Sequence, residues 1–458
     1  MTQQQKSSLW AQLALAIMML THLQAAPLKI MTIGDSLTEE YYYEFPFSAP
    51  SSTPLLGFAN TMNWVEILSQ QRSADLDFGD YESEWPFGYS DWRQAGHEYN
   101  FGIPGYDTEM WMTVLDPLSS DDYLLSYRTL VAMRDLYSDM DVVVIMVGGN
   151  DVNFQYSDLY DATPGDAFSV SFIDGVITNL TALVDEVRGY DSSVPIVLAN
   201  VPDLGATPDI ILDHPDATKR ANASAIVNNL NAAVSALAAN RGLTLAPISD
   251  LTDQLLSSDP IYIGAHQMIK DKDPDEDNRP HYLFCWKGLH PSTNGQSVIA
   301  NILIDAINTA TSSSIESLQS REILSDLMDL DPDQLYLDWA TAQGLTDSSM
   351  NADADRDGIP NIGEYLLDLN PLVVNTDHYA TLGNIGGDDF LTMDYSLNED
   401  AQRLVTAEVK YSTDLVDWDS LPSGALIDLG SNSYQVQLPI DELSADHAFM
   451  RMEFSLQP

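Results

Sequence analysis

The 458-residue chain has a single cysteine, Cys285, so no disulfide can form within it and its stability must come from packing or from bound ions. Basic residues are scarce as well: 19 Lys and Arg stand against 69 Asp and Glu, a formal net charge of -50. A surface of that sign repels polyanions, so no nucleic acid or anionic membrane is expected as a partner. It suits a saline exterior, where salt screens self-repulsion and carboxylates hold water and cations, and a marine or halophilic bacterial source is the expectation. Long apolar runs are lacking beyond the first 26 residues, so no transmembrane anchor is expected once that segment is removed. The segment itself carries Lys6 ahead of an apolar run from Leu9 to Leu20 and ends in the small residues Ala25 and Ala26, the pattern of a cleaved signal peptide. We therefore expect an exported protein, secreted, periplasmic or held at the cell surface.

What the chain does have is length for two or three domains and a hydrophobic content of 45%, which can fill sizeable cores. The mature part opens on Leu28 to Leu37, a short apolar run that ends at Gly34 and delivers Ser36 two residues later. A strand followed by a sharp turn exposes a serine in this way, although a Gly-Asp-Ser turn after a strand can also be an ordinary loop. Next comes a stretch from Tyr41 to Gly96 rich in aromatic residues, including Tyr41, Tyr42, Tyr43, Phe45, Phe47, Trp85, Phe87 and Trp92. Within it, Phe58 to Gln71 has Trp64, Ile67 and Leu68 at helical spacing. The remaining aromatic loop can stack on sugar rings, line an acyl pocket or simply pack locally.

His97 to Gly102 reads as a second strand, followed by the glycine turn Gly102-Ile103-Pro104-Gly105. Asp141 to Val147 is an almost unbroken run of Val, Ile and Met, the mark of a central parallel strand, and it ends in Gly148-Gly149-Asn150-Asp151. Helices are expected over Ser169 to Arg188 and Asp216 to Arg241, strands over Pro195 to Val201 and Leu243 to Ile248. Strict alternation of helix and apolar strand gives a parallel sheet between helix layers, with functional turns at its carboxyl edge. Late in this part His290-Pro291 precedes a helix running to about Ala310, which Ser292 or Thr293 can cap.

Four of these segments together, Gly34-Asp35-Ser36-Leu37, Gly105 in its Gly-x-x-Gly turn, Gly149-Asn150-Asp151 and His290-Pro291, resemble the four blocks of the SGNH or GDSL hydrolases. Asn200-Val201-Pro202-Asp203-Leu204-Gly205 looks like the connector that lies between the last two blocks in several members. The resemblance covers about Leu28 to Ala310 and implies a three-layer α/β/α, flavodoxin-like domain. It implies Ser36 as nucleophile and His290 as general base, with the backbone of Ser36 and Gly105 and the side chain of Asn150 as oxyanion donors. It implies no cofactor for catalysis. The family places an aspartate three residues before its histidine, and Lys287 stands there instead. Either a backbone carbonyl near Trp286 or Lys287 orients His290, or a carboxylate from the acidic loop Asp271 to Asp277 does, or Lys287 marks a weakened member. His97 and His281 are assigned to structure.

Thr311 to Ser314 forms a small polar linker, dividing the chain into a signal peptide at 1–26, a hydrolase domain at 27–311, a linker region at 312–376 and an accessory domain at 377–458. The linker contains Asp353-x-Asp355-x-Asp357-Gly358-Ile359-x-Asn361-x-x-Glu364. Carboxylates at positions 1, 3 and 5, glycine at 6 and glutamate at 12 match a calcium loop, with Ile359 offering a carbonyl and Asn361 a side chain. Short alternating strands such as Arg403 to Tyr411 and Tyr434 to Leu438 follow, separated by turns at Gly386-Gly387 and Pro422-Ser423-Gly424, so the tail reads as a small all-β sandwich. This tail is similar to those of exported proteins from aquatic bacteria.

The expected function is an exported carboxylic ester hydrolase working by a Ser-His acyl-enzyme mechanism, with an ester substrate that is an acylated glycan or another short-chain ester. A lipase, lysophospholipase or thioesterase of the same fold is the alternative, and a non-catalytic carbohydrate-binding surface protein is the alternative of another class.

Overall fold

The computed structural model describes residues 26–40, 61–82, 88–93, 95–274, 279–375, 380–440 and 447–458. Residues 1–25 of the segment expected to be a signal peptide, Tyr41 to Phe47, Trp85, Phe87, and Asp275, Glu276 and Asp277 lie outside the described residues. The chain divides into two compact units, Met1–Ile261 with Ile269–Leu318 and Tyr262–Met268 with Gln319–Pro458.

The first unit is built on a parallel sheet. Its strands are β1 (Leu28–Gly34), β2 (Leu76–Asp77), β5 (Asn100–Gly102), β6 (Val142–Met146), β7 (Ile196–Ala199) and β8 (Thr244–Ala246), with β3 (Tyr81–Glu82) and β4 (Gly96–His97) forming a separate antiparallel pair. β1 is central: it pairs β6 along one side, while on the other it pairs β2 at its start and β5 at its end. The order β2/β5-β1-β6-β7-β8 reverses direction at β1. In such doubly wound sheets, ligands bind beyond the carboxyl ends of the strands at that reversal.

The apolar runs form strands here because both faces are covered. Met31, Ile33, Val143, Ile145, Ile196 and Leu198 share one core cluster with the helices Thr108–Leu115, Ala167–Tyr190 and Ala217–Arg241. The alternate residues Ile30, Val142, Val144 and Val197 are also buried, on the face where helices Trp64–Gln71 and Thr293–Thr311 pack together. Each fully buried Val or Ile contributes roughly 1.5–3 kcal/mol. The result is a three-layer α/β/α domain.

Several boundaries differ from expectation for local reasons. The strand expected over His97 to Gly102 is two pieces: Gly96–His97 pairs with Tyr81–Glu82, and only Asn100–Gly102 joins the sheet. Ser292 sits at the N-cap of Thr293–Thr311 but does not cap it with its hydroxyl, which instead donates to Tyr282 O at 2.6 Å. Thr293 Oγ1 accepts from Met62 N at 3.0 Å. Among the described residues one helix, Ala167–Tyr190, is long and apolar enough to cross a membrane, contrary to the reading that no later stretch is. Its Phe172, Val176, Leu180, Leu183, Val184 and Val187 are buried in the sheet's core cluster. Ile315 and Leu318 are buried too, so the unit runs past the polar linker to Leu318.

The second unit carries helices Gln334–Gln343 and Asn361–Leu367 and two antiparallel sheets. One sheet holds Thr381–Ile385, Asp388–Ser396, Ser433–Pro439 and Leu426–Gly430, the other Asp419–Ser420, Val405–Ser412 and Phe449–Leu456. Met393, Tyr395 and Val436 from the first meet Val409, Met450 and Met452 from the second, which makes a small sandwich.

Candidate active site

β1 ends at Gly34 and the chain turns at once. Thr38 N and Glu39 N both donate to Asp35 O, at 3.0 and 2.9 Å, and Leu37 N donates to Asp35 Oδ1 at 2.9 Å. The turn is too tight for any side chain at two positions: a Cβ on Gly34 would lie 2.2 Å from Thr38 Oγ1, and one on Gly102 2.3 Å from Glu39 N. Asn100 braces it from β5, accepting from Thr32 Oγ1 at 2.5 Å and donating to Thr38 O at 2.9 Å. Glu40 binds His97 through both the imidazole Nδ1 and the backbone N–H, which gives His97 a structural place. The turn leaves Ser36 at the carboxyl end of β1.

His290 arrives on a loop closed by its own backbone. Cys285 N donates to His290 O at 3.0 Å, Gly288 N to Cys285 O at 2.8 Å, and Ser292 N to Leu283 O at 2.9 Å. Ser36 Oγ and His290 Nε2 thereby lie 2.8 Å apart, both buried, across 254 positions of sequence. Burial lowers the His290 imidazole to about 3, so it is neutral at any physiological pH, the state in which it can accept a hydroxyl proton. Cys285, beside it, is buried and its thiol is pushed up to about 12, which leaves it unreactive.

Gly105 and Asn150 line the same cleft as Ser36 and His290. Asn150 Nδ2 donates to Tyr106 O at 3.1 Å, which fixes the amide against the Gly105 turn. The next residue, Asp151, was not foreseen as a positioning group. It accepts from Thr108 N at 2.9 Å and Thr108 Oγ1 at 2.5 Å, and Asn179 Nδ2 donates to that hydroxyl at 3.1 Å. A carboxylate at the mouth of an apolar strand was the available hint.

Lys287, the position where the resemblance leads one to expect a carboxylate, is exposed, its Nζ 5.1 Å from the centre of the Trp286 ring. Of the acidic loop, Asp273 uses both oxygens to accept from Arg279, and Asp271 Oδ1 accepts from the neighbouring Lys272 N. Both described carboxylates are thus committed to the loop itself.

Burial, with the Asp151 charge adding to it, pushes Asp35 up to about 7, and burial pushes Asp151 up to about 6 against its bonds to Thr108. In the folded chain these carboxyls keep protons that the unfolded chain releases near 3.8. Their contribution to stability is whole below that value and is lost as pH rises through 6 to 7. His290 acts in the opposite sense, because unfolded imidazole binds a proton below 6.5 and the buried ring does so only near 3. Asp35→Asn is therefore expected to raise Tm by about 2–4 °C at pH 8 and to change it little at about pH 4. Thermal melts at the two pH values check this; equal shifts at both would contradict it.

Two spaces open on Ser36. One is a small pocket of about 30 Å³ lined by Leu37, Pro202, Leu204 and Leu289 together with Asp35, Gly149 and Asn150. The other is an open cleft of about 590 Å³ whose walls include Phe154, Trp286, Asn153, Asp209, Lys272 and Lys287. Pro202 and Leu204 come from the connector after β7, which Asn200 anchors through Ser249, with Nδ2 to Oγ at 2.8 Å.

In the second unit, the carboxylates of Asp353, Asp355 and Asp357 come within 4.8 Å of one another. Ile359 follows in the loop, its N–H donating to Asp357 Oδ1 at 2.8 Å. Asn361 Nδ2 donates to Asp347 O and Ser349 O. Glu364 is fully buried, and burial together with the three aspartates pushes its carboxyl up to about 8.

The model of the GDSL-like lipase/acylhydrolase family matches residues 32–298, a span that contains all four blocks around Ser36. The chain belongs to that family. Family members of this kind are esterases and lipases, in keeping with a serine and a neutral histidine in contact. Solved structures that it is similar to include an acetylxylan esterase from Geobacillus stearothermophilus, at 17% identity over 64% of this chain and 97% of that one, with a TM-score of 0.32. A family 3 carbohydrate esterase from Clostridium thermocellum shows 17% identity over 62% and 98%, with a TM-score of 0.31. An extracellular lipase from Streptomyces rimosus shows 16% identity over 62% and 100%, with a TM-score of 0.34. Likeness at these values says nothing about substrate. None of the curated proteins compared with the chain matches it.

Proposed function

We propose that this chain is an exported serine esterase that removes short acyl groups from a carbohydrate. Ser36 Oγ attacks the ester carbonyl as His290 Nε2 takes its proton, a step supported by their 2.8 Å contact. The oxyanion is held by the N–H groups of Ser36 and Gly105 and by the Asn150 amide, which has a second N–H beyond the one given to Tyr106 O. Imidazolium then protonates the leaving alcohol, and water activated by the same imidazole releases the acid. Ser36 and His290 act as a dyad. The export reading rests on the composition of residues 1–26.

The observation that carries the substrate reading is the inequality of the two spaces on Ser36. A pocket of about 30 Å³ with aliphatic walls suits an acetyl or propionyl group, whereas the cleft of about 590 Å³ with an exposed aromatic ring, amides and charges suits a sugar alcohol. A lipase reading needs room for a long acyl chain beyond this small pocket.

A series of p-nitrophenyl esters tests this. Acetate and propionate are expected to be turned over best, and Leu204→Ala is expected to raise kcat/KM on the hexanoate about tenfold relative to the acetate, since about 0.8 kcal/mol is gained per methylene buried. Preference of the unaltered chain for octanoate or longer would sink the short-acyl reading. Release of acetate from acetylated polysaccharides then identifies the alcohol.

A further inference from the structure

The calcium-like loop of the second unit contains a buried carboxyl group whose oxygens no described residue satisfies. Glu364 is fully buried, and neither Oε1 nor Oε2 has a hydrogen-bond partner among the described residues. Asp355 Oδ2 is likewise buried and unpartnered. A buried, uncompensated carboxylate is among the most expensive arrangements a fold can hold, and here its charged neighbours are Asp353, Asp355 and Asp357, all of its own sign.

The rest of the loop is built with care around the same point. Arg356 N, Asp357 N and Gly358 N donate to Asp353 at 2.6, 3.2 and 2.9 Å, and Asp357 N also reaches Asp355 Oδ1 at 3.1 Å. Asn375 N donates to Asp357 Oδ2 at 2.7 Å. Gly358 has φ +95°, which lets the chain reverse between the aspartates and Glu364. Backbone donors therefore shape three of the carboxylates, while the fourth, Glu364, has no hydrogen-bond donor among the described residues. One dication closes this account. Three aspartates, both oxygens of Glu364, the Ile359 carbonyl and a water held at Asn361 make an all-oxygen set of about seven, which fits Ca²⁺ and exceeds what Mg²⁺ accepts.

The position of Glu364 makes the ion a matter of folding as well. It sits on Asn361–Leu367, every residue of which is buried. Ile362, Tyr365 and Leu366 pack with Tyr336, Leu404 and Val405, while Leu367 packs with Met393, Val409 and Val436 of the sandwich. The helix is thus shared by both apolar clusters of the unit. Gly363 lies so close to Phe454 that a Cβ there would come within 2.6 Å of the ring.

We propose that residues 353–364 bind one Ca²⁺, and that this ion, by ligating Glu364, holds helix Asn361–Leu367 in place and makes the fold of the C-terminal unit calcium-dependent. The proposal is independent of the hydrolase chemistry.

The test uses the full chain, stripped with a chelator and titrated with CaCl₂ or MgCl₂ alone. Equilibrium dialysis with metal analysis is expected to give one Ca²⁺ per chain at this loop, and calorimetry to show one unfolding transition rising by about 5–10 °C with Ca²⁺ but not with Mg²⁺. Glu364→Gln, a neutral isostere, is expected to weaken Ca²⁺ binding at least about tenfold and to melt no lower than the stripped unaltered chain. Asp355→Asn, at a partly exposed position, should weaken binding in the same direction and serves if the glutamine variant fails to fold. Folded chain that takes up no Ca²⁺, or melts at the same temperature with and without it, would overturn the proposal. So would variants that bind Ca²⁺ as the unaltered chain does.

Discussion

Ser36→Ala is expected to lower kcat on p-nitrophenyl acetate by about 10³-fold or more, and His290→Ala by a similar factor, with the double variant no slower than the worse single one. The reason is the single contact of 2.8 Å between Oγ and Nε2. A serine hydroxyl is a weak nucleophile until a base takes its proton, and the imidazole is useful here only through that hydroxyl, so removing either group removes the same step. Both side chains end in a cleft and not in the hydrophobic clusters, so the thermal transition should survive both changes. Steady-state rates beside circular dichroism check the expectation. Losses that multiply in the double variant would show that the two residues act separately.

The second large effect is expected at Asn150. Asn150→Ala should cost about 10²–10³ in kcat with little change in KM, because an oxyanion donor contributes chiefly where charge develops. The structure ties this residue to the Gly105 turn through Tyr106 O at 3.1 Å, so the two donors of that side of the site share one support. Asn150→Asp distinguishes donation from packing: it keeps the shape, removes the N–H and places a negative charge near the oxyanion, and should be at least as slow as the alanine variant. A KM effect with kcat unchanged would assign Asn150 to ground-state binding instead.

Much of the fold was legible because burial on both faces leaves an unmistakable trace. Val142–Met146 is buried at every position, and a short apolar run rich in β-branched residues and followed by glycines fits a central parallel strand. The alternation of such runs with long amphipathic helices gave the parallel sheet, and turn residues marked where it would open. What remained hidden depends on contacts between distant segments. Gly96–His97 looks like the start of a strand, but its partner is Tyr81–Glu82, and the turn before Asn100 follows from that pairing.

The site was readable for similar reasons and incomplete for similar ones. Ser36, Gly105, Asn150 and His290 lie on turns with recognisable residues, and they meet around one cleft. Asp151 gave less away, since its role comes from Thr108 and Asn179, which stand 43 and 28 positions away in sequence. The walls of the small pocket, Leu37, Pro202, Leu204 and Leu289, come from three separate loops, and no periodicity links them. The calcium-loop pattern was visible in the sequence, but the observation behind the proposed ion, a buried carboxyl without a described partner on a packed helix, belongs to the tertiary structure alone.

The most direct test of the central claim is covalent. The folded chain is treated with a fluorophosphonate, which reacts only with a serine activated by a base, and the labelled peptide is identified by mass spectrometry. The result expected is one label per chain on Ser36, with labelling at least about a hundredfold slower in His290→Ala. Labelling of a different serine, or Ser36 labelled equally fast without His290, would contradict the account.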